Sequence, residues 1–122
     1  SRHPDFDVMV KHLVPAMQQA GIDMQISGHA HNLQLIQYDT EPVYVISGGG
    51  GREYNRLLEG DKPHMLYGHE GLGFVKIVAD ADAMTIDFIP LWPGEPAAYG
   101  IDRQCRDQQG AASCLKAIPL SR

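Results

Sequence analysis

Near its start the chain carries apolar residues at spacings of three and four. Phe6, Met9, Val10, Leu13, Met17 and Ala20 fall on one helical face, so the pattern predicts a helix over residues 5–20. Asp5 or Asp7 can cap its start, and Gly21 is a natural stop. Pro15 lies inside the pattern. It removes a backbone donor, so the helix is expected to kink or divide there. From Met24 the character changes. Residues 24–27 read as a short strand running into Gly28. Over residues 33–38, Leu33 and Leu35 alternate with Gln34 and Gln37, with Ile36 out of phase. Asp39-Thr40-Glu41-Pro42 has the chemistry of a turn. Residues 43–46 form a β-branched and aromatic strand, expected to be buried on both faces.

Ser47-Gly48-Gly49-Gly50-Gly51 breaks this regularity. Residues 52–70 mix polar side chains with Gly60, Pro63 and Gly68. They read as a long loop with one helical turn at residues 54–58, and loops of that length are often functional. Residues 74–79 and 83–89 are two further strands joined by the acidic turn Asp80-Ala81-Asp82. Beyond Pro90 the chain is rich in Pro and Gly and the pattern weakens. The expected architecture is α/β, mostly β-sheet with one N-terminal helix in residues 1–90, followed by an extension over residues 91–122.

Composition narrows the classes of function. The chain has 122 residues, 43% of them hydrophobic, which suits one globular domain or part of one. The net charge is −5, and the basic residues are scattered. Nucleic-acid binding needs clustered positive charge, so that class is set aside. An anionic substrate would have to be held by a metal or by local donors, because the overall field opposes it. No apolar run approaches the roughly 20 residues of a membrane span, so no membrane partner is expected. Ser1-Arg2-His3-Pro4 does not read as a signal peptide, and the signal of a secreted parent would lie upstream. Cys105 and Cys114 flank a polar, Gly/Ala-rich stretch. They form either a small disulfide loop or two free thiols. The disulfide would imply an oxidising compartment, periplasmic or secreted. Zinc is not expected there, since no Cys-x-x-Cys pair or nearby His accompanies them.

The sharpest chemical feature is Gly28-His29-Ala30-His31. Residues i and i+2 point the same way on an extended backbone. In a turn they can diverge to address two metal ions, and imidazole suits Zn, Fe or Mn. An isolated His-x-His pair is otherwise read as two loop histidines that form hydrogen bonds. His12 reads as exposed on the helix. His64 and His69 flank the long loop, where surface histidines are common. The run Gly48 to Gly51 lacks the Lys-Ser/Thr and following helix of a phosphate loop, and its expected purpose is backbone freedom. Asn32 is expected to hold the motif loop by local hydrogen bonds.

Ile26-Ser27-Gly28-His29-Ala30-His31-Asn32, following a helix and a short strand, resembles the Gly-His-x-His signature of calcineurin-like metallophosphoesterases. From His3 to Ile89 the chain is similar to the C-terminal half of the tartrate-resistant, purple acid phosphatase branch. The likeness is carried in order by Leu13-Val14-Pro15, Gly21-Ile22-Asp23, Gly28 to Asn32, Leu33-Gln34, Tyr44-Val45-Ile46-Ser47-Gly48 and Gly73-Phe74. The resemblance implies a four-layer α/β/β/α sandwich, to which this chain would give most of one sheet and one helix. It also implies a dinuclear metal centre of Fe, Zn or Mn acting on a phosphomonoester, with His29 and His31 each binding one metal. His3, 26 residues before His29, sits where the branch places a histidine over the substrate to bind phosphate or protonate the leaving oxygen. The other reading of His3 is a frayed terminal residue.

The family's Asp-x-His, Gly-Asp-x-x-Asp and Gly-Asn-His motifs do not occur in this sequence. Two imidazoles are not expected to hold a dinuclear centre by themselves. The resemblance therefore implies a half-site whose remainder comes from a missing N-terminal half or from a homo-oligomer. The alternatives are a non-catalytic folded remnant that binds metal or a protein partner, and a β-rich structural module with incidental histidines.

Overall fold

The computed structural model describes residues 9–28, 30–38, 42–50, 57 and 63–120. Within the stretch expected as helix, a π-helical turn at Met9–Leu13 passes into α1 (Val14–Ala20). The division falls just ahead of Pro15, which lies in the first turn of α1 and has no N–H to give the preceding turn. Gly21 ends the helix in the left-handed conformation at φ 69°. Its N–H donates to the Gln18 carbonyl (3.2 Å), and the Ile22 N–H donates to Met17 (3.1 Å). This is the double bond pattern of a Schellman cap. Of the helix's apolar stripe Met17 is buried, whereas Leu13 and Ala20 are exposed.

The described residues form two four-stranded sheets. The first contains β1 (Met24–Ser27), β2 (Leu33–Ile36), β3 (Val43–Ser47) and β4 (Met65–His69), in spatial order β1-β3-β2-β4. β1 runs parallel to β3, with Met24 beside Val43 and Ser27 beside Ile46, and β2 is antiparallel to both β3 and β4. The second is an antiparallel meander in chain order: β5 (Gly73–Ala79), β6 (Ala83–Pro90), β7 (Ala97–Asp102) and β8 (Lys116–Ile118). Two short helices, α2 (Arg103–Gln109) and α3 (Ala111–Cys114), join β7 to β8.

The core lies between the sheets. Leu33, Leu35, Val43 and Val45 from the first meet Ile86, Phe88, Tyr99 and Ile101 from the second, closed by Ala111, Ala112 and Cys114 of α3. The Tyr67 ring stacks on Phe88 at 4.4 Å between centroids, and Phe88 meets Tyr99 edge-on at 6.1 Å. The Tyr99 hydroxyl donates to the Leu66 carbonyl at 3.0 Å, bridging the sheets. Burial, followed by the nearby Tyr99 and Glu95, pushes the Tyr67 hydroxyl pKa up to about 12, and burial also raises that of Tyr99.

Several expectations change. The chain builds strands of two sheets, rather than most of one. Residues beyond Pro90 supply β7, β8 and the α2–α3 corner, because β7 completes its ladder on β6 from Ala83↔Asp102 to Phe88↔Ala97. Within residues 52–70, expected as loop, β4 forms along the free edge of β2. Met65-Leu66-Tyr67-Gly68-His69 has no clean alternation, and its strand character comes from that partner edge. Of the helical turn expected at residues 54–58, only Leu57 lies within the described residues. β2 is buried on both faces, including the Gln34 side expected to be polar. Cys105 and Cys114 form a disulfide with Cα atoms 5.9 Å apart, tying α2 to α3. Asp102 caps α2 by accepting from the Cys105 N–H at 3.1 Å. Arg106 reaches back to Asp23 at 2.8 Å, ahead of β1. Asp23, then Asp107, hold its guanidinium further above its ordinary pKa.

Candidate metal-ligand turn

Because β1 and β3 are parallel neighbours, their C-terminal ends emerge on the same side, where open α/β sheets bind ligands. β1 delivers the chain into Gly28 and the His-x-His motif, and β3 delivers it into Gly48–Gly50. The Ala30 N–H donates to Gly28 O (2.8 Å), the Asn32 N–H to Ala30 O (2.9 Å), and the Gly48 N–H to Asn32 O (2.9 Å). A Cβ built on Gly48 would lie 1.7 Å from the Ala30 oxygen and 2.7 Å from its carbonyl carbon. Backbone freedom is the purpose that the sequence suggests for the glycine run. At Gly48 the purpose is instead the close approach of one backbone to another. Gly49 extends the contact to the second sheet, accepting the Gly73 N–H at 3.0 Å.

His31 sits half-buried in this turn. Behind it is a buried amide pair that the sequence pattern does not reveal. Asn32 is 1% exposed and Gln34 4%. Gln34 Nε2 donates to Asn32 Oδ1 at 2.8 Å, so Asn32 binds the turn through backbone N–H, backbone carbonyl and side chain together. Gln34 Oε1 has no hydrogen-bond partner among the described residues, which costs about 1–3 kcal/mol for a buried acceptor. The only signal in the sequence is the i, i+2 spacing of two amides, and that spacing says nothing of burial.

His3 and His29 lie outside the described residues. The other histidines have local partners or solvent. His12 is exposed, as expected. The His64 ring lies against Tyr38 at 4.4 Å. His69 Nε2 lies 3.1 Å from the Leu72 carbonyl, and its ring fits so closely against Gly71 and Gly94 that a Cβ on either would come within 2.6–2.7 Å. His69 therefore holds loops together. An open cavity of about 740 Å³, lined by Gln18, Asp23, Pro42, Arg106 and Asp107 among others, lies at the N-terminal end of β1, opposite the motif.

A dinuclear centre requires donors beyond two imidazoles. The donor chemistry of His31, with His29, suits Zn, Fe or Mn. However, the described residues contain no group of three or more His, Cys, Asp or Glu side chains able to hold an ion. The residues present fit part of such a centre and do not close it.

No family model matches the chain. It is 28% identical over 96 residues to tartrate-resistant acid phosphatase type 5 of Homo sapiens, an alignment covering 73% of this chain and 30% of that protein. The Oryctolagus cuniculus protein gives 27% over the same length and coverage. The chain thus spans less than a third of the curated relatives it matches, a weak homology to a metallophosphoesterase. Among solved structures it is similar to GAP50, the anchor in the inner membrane complex of Plasmodium. That match has a TM-score of 0.60 and 15% identity, and covers 95% of this chain and 31% of the other. It shows a shared fold.

Proposed function

We propose that this chain supplies the Gly-His-x-His half-site of a dinuclear-metal, acid phosphatase-like phosphomonoester hydrolase, with His29 and His31 each serving one metal, and that it is inactive alone. The observation that carries the reading is the motif turn itself. It is set at the C-terminal end of the parallel β1–β3 pair and clamped by Gly48 against Ala30, in a chain with homology to acid phosphatases. When bound, the metal pair would orient the phosphate, supply hydroxide near neutral pH and spread the developing charge. This chain's task is to hold its imidazoles still. Asn32 fastens the turn through three hydrogen bonds, and Gly48 sets its depth. His3 is assigned to the phosphate or leaving oxygen. The remaining donors come from a longer polypeptide or another copy. The Cys105–Cys114 disulfide favours a periplasmic or secreted setting.

The second reading, a non-catalytic remnant that binds metal or a partner, is favoured by the lack of a three-ligand cluster among the described residues. Hydrolysis of an aryl phosphate with added Fe, Zn or Mn separates the two. It is measured for the isolated chain and for the longer polypeptide carrying it, each beside His29→Ala and His31→Ala. The isolated chain should run no faster than its variants, and the longer polypeptide should be active and lose most activity with either substitution. Robust hydrolysis by the isolated chain overturns the half-site. Activity that survives both substitutions overturns the ligand roles.

A further inference from the structure

Gln34 sits where an amide weakens the fold. Leu33 and Leu35 on either side of it join the core between the sheets. On a pleated strand the Gln34 side chain therefore points to the opposite face of the first sheet. Its register partner on β4 is Gly68, and a Cβ on Gly68 would lie 2.6 Å from Leu57 Cδ1, so Leu57 packs over this face. Gln34 is 4% exposed. Its Nε2 donates to Asn32 Oδ1 at 2.8 Å, while Oε1 has no partner among the described residues. A methionine or leucine would fill the same space without burying an unpaired acceptor. One net hydrogen bond does not outweigh that acceptor. Stability alone therefore does not account for the amide, and an orphaned polar atom in a native core calls for another reason.

Asn32 supplies one. It is 1% exposed. Its N–H donates to Ala30 O at 2.9 Å, closing a γ-turn with His31 at the centre. Its carbonyl accepts the Gly48 N–H at 2.9 Å, which fixes the turn to the end of β3. The backbone torsions of His31 set the direction in which its imidazole leaves the chain, so whatever holds Asn32 aims that ring. Backbone bonds alone leave such a turn free to rock. Gln34 adds a side-chain bond from β2, a strand paired along both edges.

We propose that Gln34 is a positioning residue for the metal-ligand turn. It fixes Asn32, and through Asn32 the backbone of His31. The metal part of this role rests on the function inferred above. Metal ligands are commonly oriented by outer partners of this kind, and losing one costs about 10–100-fold in metal affinity.

The test compares the wild-type chain with Gln34→Met, Gln34→Leu and His31→Ala. Either Gln34 variant removes the donor to Asn32 together with the orphaned acceptor. Those two changes offset in stability, so the urea midpoints should match the wild type. Amide hydrogen exchange, read by NMR, should become about fivefold faster at Asn32 and Gly48, the weight of one hydrogen bond in a local opening. It should stay unchanged at Val43, which donates to Asp23 O at the other end of the β1–β3 pair, and at Arg103, which donates to Asp82 O. Titration with Zn²⁺, followed through the same resonances, should show binding weakened about tenfold or more.

Unchanged exchange at Asn32 overturns the proposal. So does equal acceleration at all these amides, a lowered midpoint, or loss of the fold in both variants, because Gln34 would then serve the core as a whole. Local release of the turn with undiminished Zn²⁺ affinity also overturns it, provided that His31→Ala weakens binding. Zn²⁺ binding that is absent, or equal in His31→Ala, is instead a failure of the ligand reading, and the exchange result then decides the role of Gln34 by itself.

Discussion

Gly48→Ala tests what positions the metal-ligand turn. The added Cβ would begin 1.7 Å from the Ala30 oxygen, while real Cβ contacts essentially never fall below 3.0 Å, so the two backbones must part by about 1.3 Å. No positive φ is involved at Gly48, so the cost is one of contact. Parting stretches the 2.9 Å bond from Gly48 N–H to Asn32 O beyond useful range, a net loss of about 1 kcal/mol. Overpacking adds about 1–3 kcal/mol. The reduced freedom of alanine in the unfolded chain returns about 0.4–1 kcal/mol. The net is a destabilisation of about 1–3.6 kcal/mol. Two neighbouring glycines act as controls. Among the described residues, a Cβ added at Gly50 would meet nothing within 4 Å, and one at Gly28 would meet only the Ser47 oxygen at 3.9 Å, so alanine at either should be neutral or slightly stabilising. Urea unfolding of the isolated chain, followed by far-UV circular dichroism, measures all three. On the function proposed above, a motif displaced by more than 1 Å should lower metal-dependent hydrolysis by a longer polypeptide that completes the site on the order of 100-fold. A Gly48→Ala chain within about 0.5 kcal/mol of wild type, or no worse than Gly50→Ala, refutes the clamp.

Two further outcomes follow from the core. Reducing the Cys105–Cys114 bond, or replacing both cysteines by alanine, should cost about 2.7 kcal/mol for so short a loop. The urea midpoint with and without reductant measures this, and an unchanged midpoint refutes it. Stability should also fall as pH rises from 10 towards about 12. Below pH 10 the Tyr67 proton stays on in folded and unfolded chains alike, whereas above it the unfolded chain releases that proton first. Tyr67→Phe should flatten the decline in urea midpoint between pH 10 and pH 12, and an equal decline in the variant would show that Tyr67 is not its source.

Much of the local architecture is legible in the sequence. β1, β3, β5 and β6 begin and end within one residue of the apolar and β-branched runs at 24–27, 43–46, 74–79 and 83–89. The same holds for the stop at Gly21 and the break at Pro15. These features depend on neighbours along the chain, which periodicity and backbone chemistry report. β4 is not legible, because its strand character is supplied by the edge of β2, some thirty residues earlier. β7 and β8 are hidden because Pro and Gly obscure the pattern around them, while their ladders come from β6 and from each other.

The candidate site divides in the same way. The imidazoles of His29 and His31 can be named as candidate donors from sequence alone, because the identity and spacing of imidazoles are local facts. Tertiary structure decided that the motif turn is clamped by Gly48, and that Gln34 is buried and bonded to Asn32. Each of these depends on which backbones pass within a few ångströms of one another. That is set by the parallel β1–β3 pairing and by the packing of two sheets face to face, and neither leaves a local mark in the residues concerned.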